Sequence, residues 1–418
     1  MNMLVVVGDL ANALERSITA PTPSPAADTN FAVTALKDRI PSSAFRFGSL
    51  TADPTLTFDL NIVTNGDMVL NSGGNVSSWT EVSTGTGDVT YDATGGEAAG
   101  PGMKFVSGTG TAVAYQDITV RAGEKLNWTI ALKGDGTRAV ALRVFNRNTG
   151  KYWTGSAWSA TPTDLATRTT ATFATSSGSF TMESAPAYRA DLQLMTLRVT
   201  IQVATASGTC FADSCYLWPS VDFISLHGHN IDPVISLELR RDSAAFAGAG
   251  TLEATITAFP LEFYSSLGTI RDERYWRLKF TGTNSAAIYL GEVVLAQKLT
   301  LTRIFKPPES IDYIDDQVRS GEVPIRSYRK MDHPRRLLDV EFNYDSAAAF
   351  TQARDELVLR SRNGHHPMVV VPNDTEIHCL YGKIEQVWHS SRTLSDGSDY
   401  YEGSPFRFLG LPLTSWIP

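Results

Sequence analysis

The side chains best suited to chemistry gather in one stretch of the chain. Tyr152, Trp153 and Trp158 stand in a Gly/Ser/Thr-rich segment running from Asn148 to Ser159, with no strong apolar periodicity around them. Exposed aromatic rings are platforms for the C–H faces of sugar rings, and guanidinium and amide groups beside them would hydrogen-bond the hydroxyls. Two alternating runs supply such groups. In Val140–Arg147 the core-facing set is Val140, Leu142 and Val144, which leaves Arg143, Phe145 and Arg147 on the opposite face. In Leu197–Val203 the same parity turns Arg198, Thr200 and Gln202 away from the core. The candidate carbohydrate-binding set is therefore Trp153, Trp158, Tyr152, Arg143, Phe145, Arg198 and Gln202. The competing reading is a hairpin whose Trp rings fold back onto the sheet, because Trp is highly buried on average. Trp128 shares the apolar parity of Leu126 and Ile130 and is expected in the core, and Trp276 is expected to pack likewise.

Other chemistry-bearing residues read as structural. His227-Gly228-His229 resembles a metal pair only superficially, since ligands normally converge from several elements; a strand end and turn, with Asn230 bonding backbone, is expected instead. His365-His366 follows Gly364 and reads as a surface turn. Asp315-Asp316 lies on a polar segment and reads as solvated, whereas glycosidase carboxylates flank a cleft roughly 5–10 Å apart. No Gly-x-Ser-x-Gly, His-Glu-x-x-His, P-loop or Gly-x-Gly-x-x-Gly pattern is present, so catalysis is not expected. The net charge of −8 argues against binding nucleic-acid phosphates. Three cysteines make no disulfide framework and no metal spacing; Cys210 and Cys215, five apart on one strand, are expected to face opposite ways.

The elements that must position these residues are mostly strands. A chain of 418 residues holds two to four domains. Residues 61–217 carry 23 charged residues in 157, about 15%, against 31 in 118, about 26%, for residues 301–418. The low-charge block is crowded with Gly, Ser and Thr turns between short alternating runs, as in a β-sandwich. Residues after 218 are β-rich as well, with Val221–Leu226, Leu252–Ile256 and Tyr275–Phe280 as strands. Beyond 300 the texture changes to α+β. A helix is expected from an Asp345 or Ser346 cap to a Gly364 stop, between strands at Leu337–Phe342 and Met368–Val371, with two more strands around residues 382–389 and 405–409. The apolar run at the start, Met3–Val7, is short and lacks a basic flank, so no signal peptide is expected. No run approaches the length that spans a membrane.

Several motifs resemble known families. Asn61-Ile62-Val63-Thr64-Asn65-Gly66-Asp67-Met68 followed by Trp79 is similar to the opening of carbohydrate-binding jelly rolls. Tyr115-Gln116-Asp117-Ile118-Thr119-Val120-Arg121-Ala122-Gly123 resembles their Gln-x-Ile-x-Val-x-x-Gly strand and turn, and Phe211-Ala212-Asp213-Ser214-Cys215-Tyr216-Leu217 resembles their final strand. Leu56-Thr57-Phe58-Asp59-Leu60 and Val221–Asn230, with Arg274–Leu278 and Ile288–Val293, resemble a discoidin-like jelly roll of phage tail proteins. The resemblance implies a mainly β fold: two nested β-sandwich jelly rolls, galactose-binding-like, plus a C-terminal α+β domain. Residues 1–60 and 218–300 would form the discontinuous discoidin-like jelly roll, 61–217 the inserted carbohydrate-binding-like one, and 301–418 a tail-docking domain. The arrangement is similar to minor tail, distal-tail or baseplate proteins of long-tailed bacteriophages. That implies a structural component of the virion tail tip, assembled in the host cytoplasm. Its partners would be other phage tail-tip proteins and a host cell-surface glycan, and it would form a ring-like homo-oligomer without nucleic acid or membrane insertion. No cofactor is required, but related modules hold a structural calcium between the first and last strands, which implies Asp67 and Asp213 as ligands. Two alternatives stay open: a tail-associated polysaccharide depolymerase or secreted glycoside hydrolase, and a purely architectural tail protein that binds no glycan.

Overall fold

The computed structural model describes residues 3–7, 12–38, 44–49, 53–183, 194–204, 207–260, 262–301, 312–314, 335–340, 343–344, 368–371, 379–384, 390–395, 398–403 and 406–410. The expected helix at 345–364, His365-His366 and Asp315-Asp316 lie outside the described residues. The protein is mainly β, with antiparallel sheets throughout. It forms two compact units, Asn61–Ser220 on one hand and Met1–Leu60 with Val221–Pro418 on the other. Among the described residues no helix is long and apolar enough to cross a membrane.

The 61–220 unit is a sandwich of two sheets. One runs in the order Trp158–Ser159, Lys151–Trp153, Val140–Asn146, Leu194–Val203, Ala112–Arg121 and Thr80–Glu81, with Ala166–Arg168 also beside Val140–Asn146. The other runs Ala174–Thr181, Lys125–Lys133, Gly208–Pro219, Gly102–Ser107 and Asp88–Asp92. Strand alternation decides what lies between them. Leu142, Val144, Leu197, Val199 and Ile201 enter the core from the first sheet, and Leu126, Trp128, Ile130, Phe180 and Leu217 from the second. Each such side chain contributes roughly 1.5–3 kcal/mol on burial.

Two polar side chains staple the start of this unit to its sheets. Gln116 points inward, accepts from Thr64 N–H at 2.8 Å and donates to the carbonyls of Thr64 and Ser78 at 3.0 and 2.9 Å. Asn65 has a φ of 50° and holds the following loop closed, donating to Leu70 O and Ser77 O and accepting from Leu70 N–H.

The expectation for Cys210 and Cys215 is corrected: both face the core and both are free thiols. The reason is a bulge. Thr129 pairs with Tyr216 but Ala131 pairs with Asp213, so Gly208–Pro219 carries one extra residue there, and Ser214 takes a φ of 52°. The extra residue resets the alternation. Burial pushes the thiols up to about 11 and about 12 respectively, so neither is a nucleophile near neutral pH.

The other unit contains a second pair of sheets. One is ordered Glu262–Arg271, Val221–His229, Tyr289–Ala296 and Phe45–Arg46, and the other Thr22–Ser24, Thr55–Asp59, Tyr275–Thr281, Ser236–Asp242 and Thr251–Ile256. Val221–His229 is buried at every position, and Trp276 is wholly buried. Within the same unit lies a further antiparallel sheet in the order Leu299–Leu301, Met3–Val7, Met368–Val371, Leu380–Ile384, Phe406–Gly410, Arg335–Val340 and Asp312–Ile314. Met3–Val7 thus pairs with strands from beyond residue 298 rather than with the strands that follow it. Its unbroken apolar run fits the centre of a sheet, flanked by Leu299–Leu301 and the buried Met368–Val371.

Candidate functional site

The outward face of the Val140–Asn146 sheet is built by register. Tyr152 lies opposite Phe145, Phe145 opposite Arg198, and Arg198 opposite Asp117, which makes one continuous cross-strand row. The next row on the same face is Arg143, Thr200 and Tyr115, and the one beyond is Ala141, Gln202 and Val113. Direct cross-strand partners stand close enough to touch, so five of the seven candidate residues share one surface: Tyr152, Phe145, Arg198, Arg143 and Gln202.

Ion pairs hold that surface in place. Arg198 grips Asp117 through Nε and Nη2 at 2.8 and 2.9 Å, while Arg147 Nη1 reaches the same carboxylate at 2.7 Å. The Arg198 guanidinium carbon lies 3.6 Å from the centroid of the Tyr115 ring. Arg143 Nε donates to Asp164, and its Nη1 donates to Gln202 Oε1 at 3.2 Å. The Arg198 hydrogen bond holds the Asp117 carboxyl below the usual carboxylate range, and Asp117 in turn holds Arg198 above its ordinary value. Both are charged near neutral pH. At the end of the row the Phe145 and Tyr152 rings lie 4.6 Å apart, tilted by 39°. The face offers guanidinium N–H donors, carboxylate and amide acceptors, a phenol and two adjoining rings, all on rigid strands.

Trp153 and Trp158 do not share it. They are cross-strand partners in the hairpin and, by alternation, lie on the side opposite Tyr152. Their ring centroids are 5.5 Å apart and each stands 5.9 Å from Phe180, a core residue. Trp158 Nε1 donates to Thr181 O at 2.9 Å. These two rings cover the margin of the sandwich core, the alternative that the sequence left open, and by doing so hold the hairpin that carries Tyr152.

Tyr115 and Asp117 were missed as site residues. The signal was present: in Ala112–Val120 the buried positions are Ala112, Ala114, Gln116, Ile118 and Val120, which leaves Tyr115 and Asp117 on the outward face. A polar residue at the inward position Gln116 obscured the alternation.

Asp67 and Asp213, the residues implied for calcium, lie near enough for their charges to act on each other. Asp213 is buried, and its two oxygens accept the N–H groups of Glu97 at 2.9 Å and of Ser214 at 2.6 Å. Asp67 is exposed and acts on Asp213 as a neighbouring like charge, which adds to the upward push that burial exerts on the Asp213 carboxyl. Among the described residues no three His, Cys, Asp or Glu side chains converge as a cation site. The carboxylate of Asp213 serves as a backbone cap. His227 and His229 are likewise buried and bonded within the fold, His227 to Ser225 and Glu262 at 2.8 and 3.2 Å, and His229 to Pro260 O at 2.8 Å. Asn230 bonds backbone, at Ala287 O and Tyr289 N–H.

No protein-family profile matches this chain, and no curated protein does. Solved structures similar to it include the enzymatically active domain of tailspike protein 4 from bacteriophage CBA120, at TM-score 0.28 and 16% identity over 38% of this chain and 21% of that one. A second is the CBM22-1 xylan-binding domain of Xyn10C from Paenibacillus barcinonensis, at TM-score 0.26 and 13% identity, covering 35% of this chain and 88% of that one. A third is the family 11 carbohydrate-binding module of Clostridium thermocellum in complex with a mixed-linked tetrasaccharide, at TM-score 0.23 and 15% identity, covering 36% of this chain and 93% of that one. The chain spans about a fifth of the length of the tailspike domain and most of the length of the two modules.

Proposed function

We propose that this chain is a structural component of a phage tail tip whose 61–220 unit binds host-surface glycan on the outward face of its Val140–Asn146 sheet. The observation that carries the binding reading is the row Tyr152, Phe145, Arg198 and Asp117, flanked by Arg143 and Gln202. It places adjoining rings beside charged donors and acceptors that are already oriented by their own ion pairs. Such preorganisation lowers the entropy cost of binding. On this reading the protein makes and breaks no bond, and a ring of copies in the tail supplies avidity. The motif order read in the sequence supports the tail assignment, and proteomics of purified virions tests it by finding or missing this chain in the tail fraction.

The binding face is tested with whole host cells and isolated surface polysaccharide. Phe145→Ala and Arg198→Ala are each expected to weaken binding by about tenfold, the scale of a lost ring contact or charge-assisted hydrogen bond. Trp153→Ala and Trp158→Ala are expected to lower stability first. Unchanged binding by the Phe145→Ala/Arg198→Ala double variant removes the face from consideration.

A further inference from the structure

We infer that the unit formed by residues 1–60 and 221–418 carries a ligand site of its own, a pocket for the carboxylate of a single acidic sugar residue, built around Arg46. The inference stands apart from the 61–220 face and shares no residue with it.

The pocket follows from strand parity. Phe45 and Phe47 are fully buried with ring centroids 4.9 Å apart, so Arg46 between them must turn to the other side of its strand. Tyr289 is the direct antiparallel partner of Arg46, which sets the phenol ring and the guanidinium side by side. Together with Phe31, Asn230 and Ala287 they line a cavity of about 210 Å³.

The walls are fixed from behind. Asn230 Nδ2 donates to Ala287 O at 3.1 Å, and its Oδ1 accepts from Tyr289 N–H at 2.9 Å. Asn284 donates to Asn230 O and Ala286 O, both at 3.0 Å. The segment that forms one side of the pocket is therefore preorganised by two buried or half-buried amides rather than by apolar packing alone.

The pocket carries an unspent charge. Arg143, Arg147, Arg198, Arg241, Arg271 and Arg274 are each matched to a carboxylate. The Arg46 guanidinium has only the Phe31 ring, 5.8 Å from its carbon, and the side chain makes no hydrogen bond or ion pair with any described residue. A half-buried guanidinium with free N–H groups is a fork suited to a carboxylate. The Phe31 and Tyr289 rings beside it suit the C–H face of a sugar. The volume is below the roughly 300–1,000 Å³ of a drug-sized site, which limits the occupant to about one ring. Carboxylate, ring face and size together describe a hexuronic acid residue.

The full-length chain is tested by ligand-observed NMR and calorimetry with glucuronate, glucose and glucose 6-phosphate as probes. Binding of glucuronate in preference to both others is expected. Arg46→Gln is expected to weaken it by at least about tenfold, the worth of a charge-assisted pair, with an unchanged melting temperature because the Arg46 side chain forms no hydrogen bond or ion pair within the fold. Phe145→Ala is expected to leave glucuronate binding as it was. Equal affinity in Arg46→Gln overturns the proposal, as does absence of glucuronate binding, equal binding of glucose or tighter binding of glucose 6-phosphate. Loss of glucuronate binding in Phe145→Ala would move the ligand to the 61–220 face and overturn it too.

Discussion

His229 shows how burial settles what a polar side chain does. Pro260 O can only accept and Ile231 N–H can only donate, so the ring carries its proton on Nε2 and accepts at Nδ1. A second proton would have to sit at Nδ1, facing the Ile231 N–H, in a site that water does not reach. Burial accordingly lowers the pKa to about 4 from an ordinary 6.5. Between those two values the unfolded chain binds a proton that the folded one refuses, so stability is fully present above pH 6.5 and declines as pH falls toward 4. A difference of that size corresponds to roughly 3 kcal/mol. Urea unfolding followed between pH 7 and 4.5 is expected to show that decline, and His229→Asn is expected to flatten it while lowering stability at pH 7. An acid slope that is the same in both proteins would show that other groups carry it. Asp117 behaves in the opposite manner from Asp213. The first is exposed and paired with arginine, so it stays ionised; the second is buried among backbone donors with acidic neighbours, and burial raises it.

At the scale of elements, one extra residue in Gly208–Pro219 has wide consequences. The bulge at Ser214 turns both cysteines inward, aims Asp213 at the N–H of Glu97 and lets Cys215 N–H donate to Gly66 O at 2.8 Å. The first turn of the unit, Asn65-Gly66-Asp67, is thereby docked onto its last strand. Ser214 holds a left-handed backbone that β-branched side chains resist. Ser214→Gly is therefore expected to be neutral or to stabilise by up to about 0.5 kcal/mol, and Ser214→Val to destabilise by about 1–2 kcal/mol. Gly66→Ala is expected to cost more than about 2 kcal/mol, since the new Cβ would meet Cys215 O at 2.1 Å and neither backbone can give way. Urea unfolding read by tryptophan fluorescence checks all three. The Trp153–Trp158 hairpin is the other device at this scale. Its two indoles grip Phe180 on one side so that Tyr152 stands next to Phe145 on the other.

For the whole molecule, the chain leaves one unit after Leu60 and returns to it at Val221. Within the 61–220 unit the incoming and outgoing segments are paired, Ile62 N–H donating to Leu217 O at 2.8 Å. A unit whose two ends meet is the kind that can be lost or gained at a loop, since loop closure costs little extra with length. Replacement of residues 61–220 by a short Gly/Ser linker is expected to leave the remaining unit folded. Circular dichroism and the tryptophan fluorescence that includes the buried Trp276 would report this. The shortened chain is also expected to lose polysaccharide binding assigned to the Val140–Asn146 sheet. Failure of the shortened chain to fold would show that the two units depend on each other.

Alternation, turn residues and charge density were enough to read a mainly β chain, with Trp128 and Trp276 in cores and Arg143, Phe145, Arg198 and Gln202 turned outward, because period-two parity is a local property of a strand. The same rule misplaced Cys215 and hid Tyr115 and Asp117, because a bulge and an inward amide are set by partner strands that no local window contains. Whether Trp153 and Trp158 faced solvent or core was likewise undecidable from the segment itself. Phe180, more than twenty residues away, supplies the surface that draws them in. Only the tertiary structure matched most arginines with their carboxylates and left Arg46 without one, since which charges meet is decided by register between strands far apart in the chain.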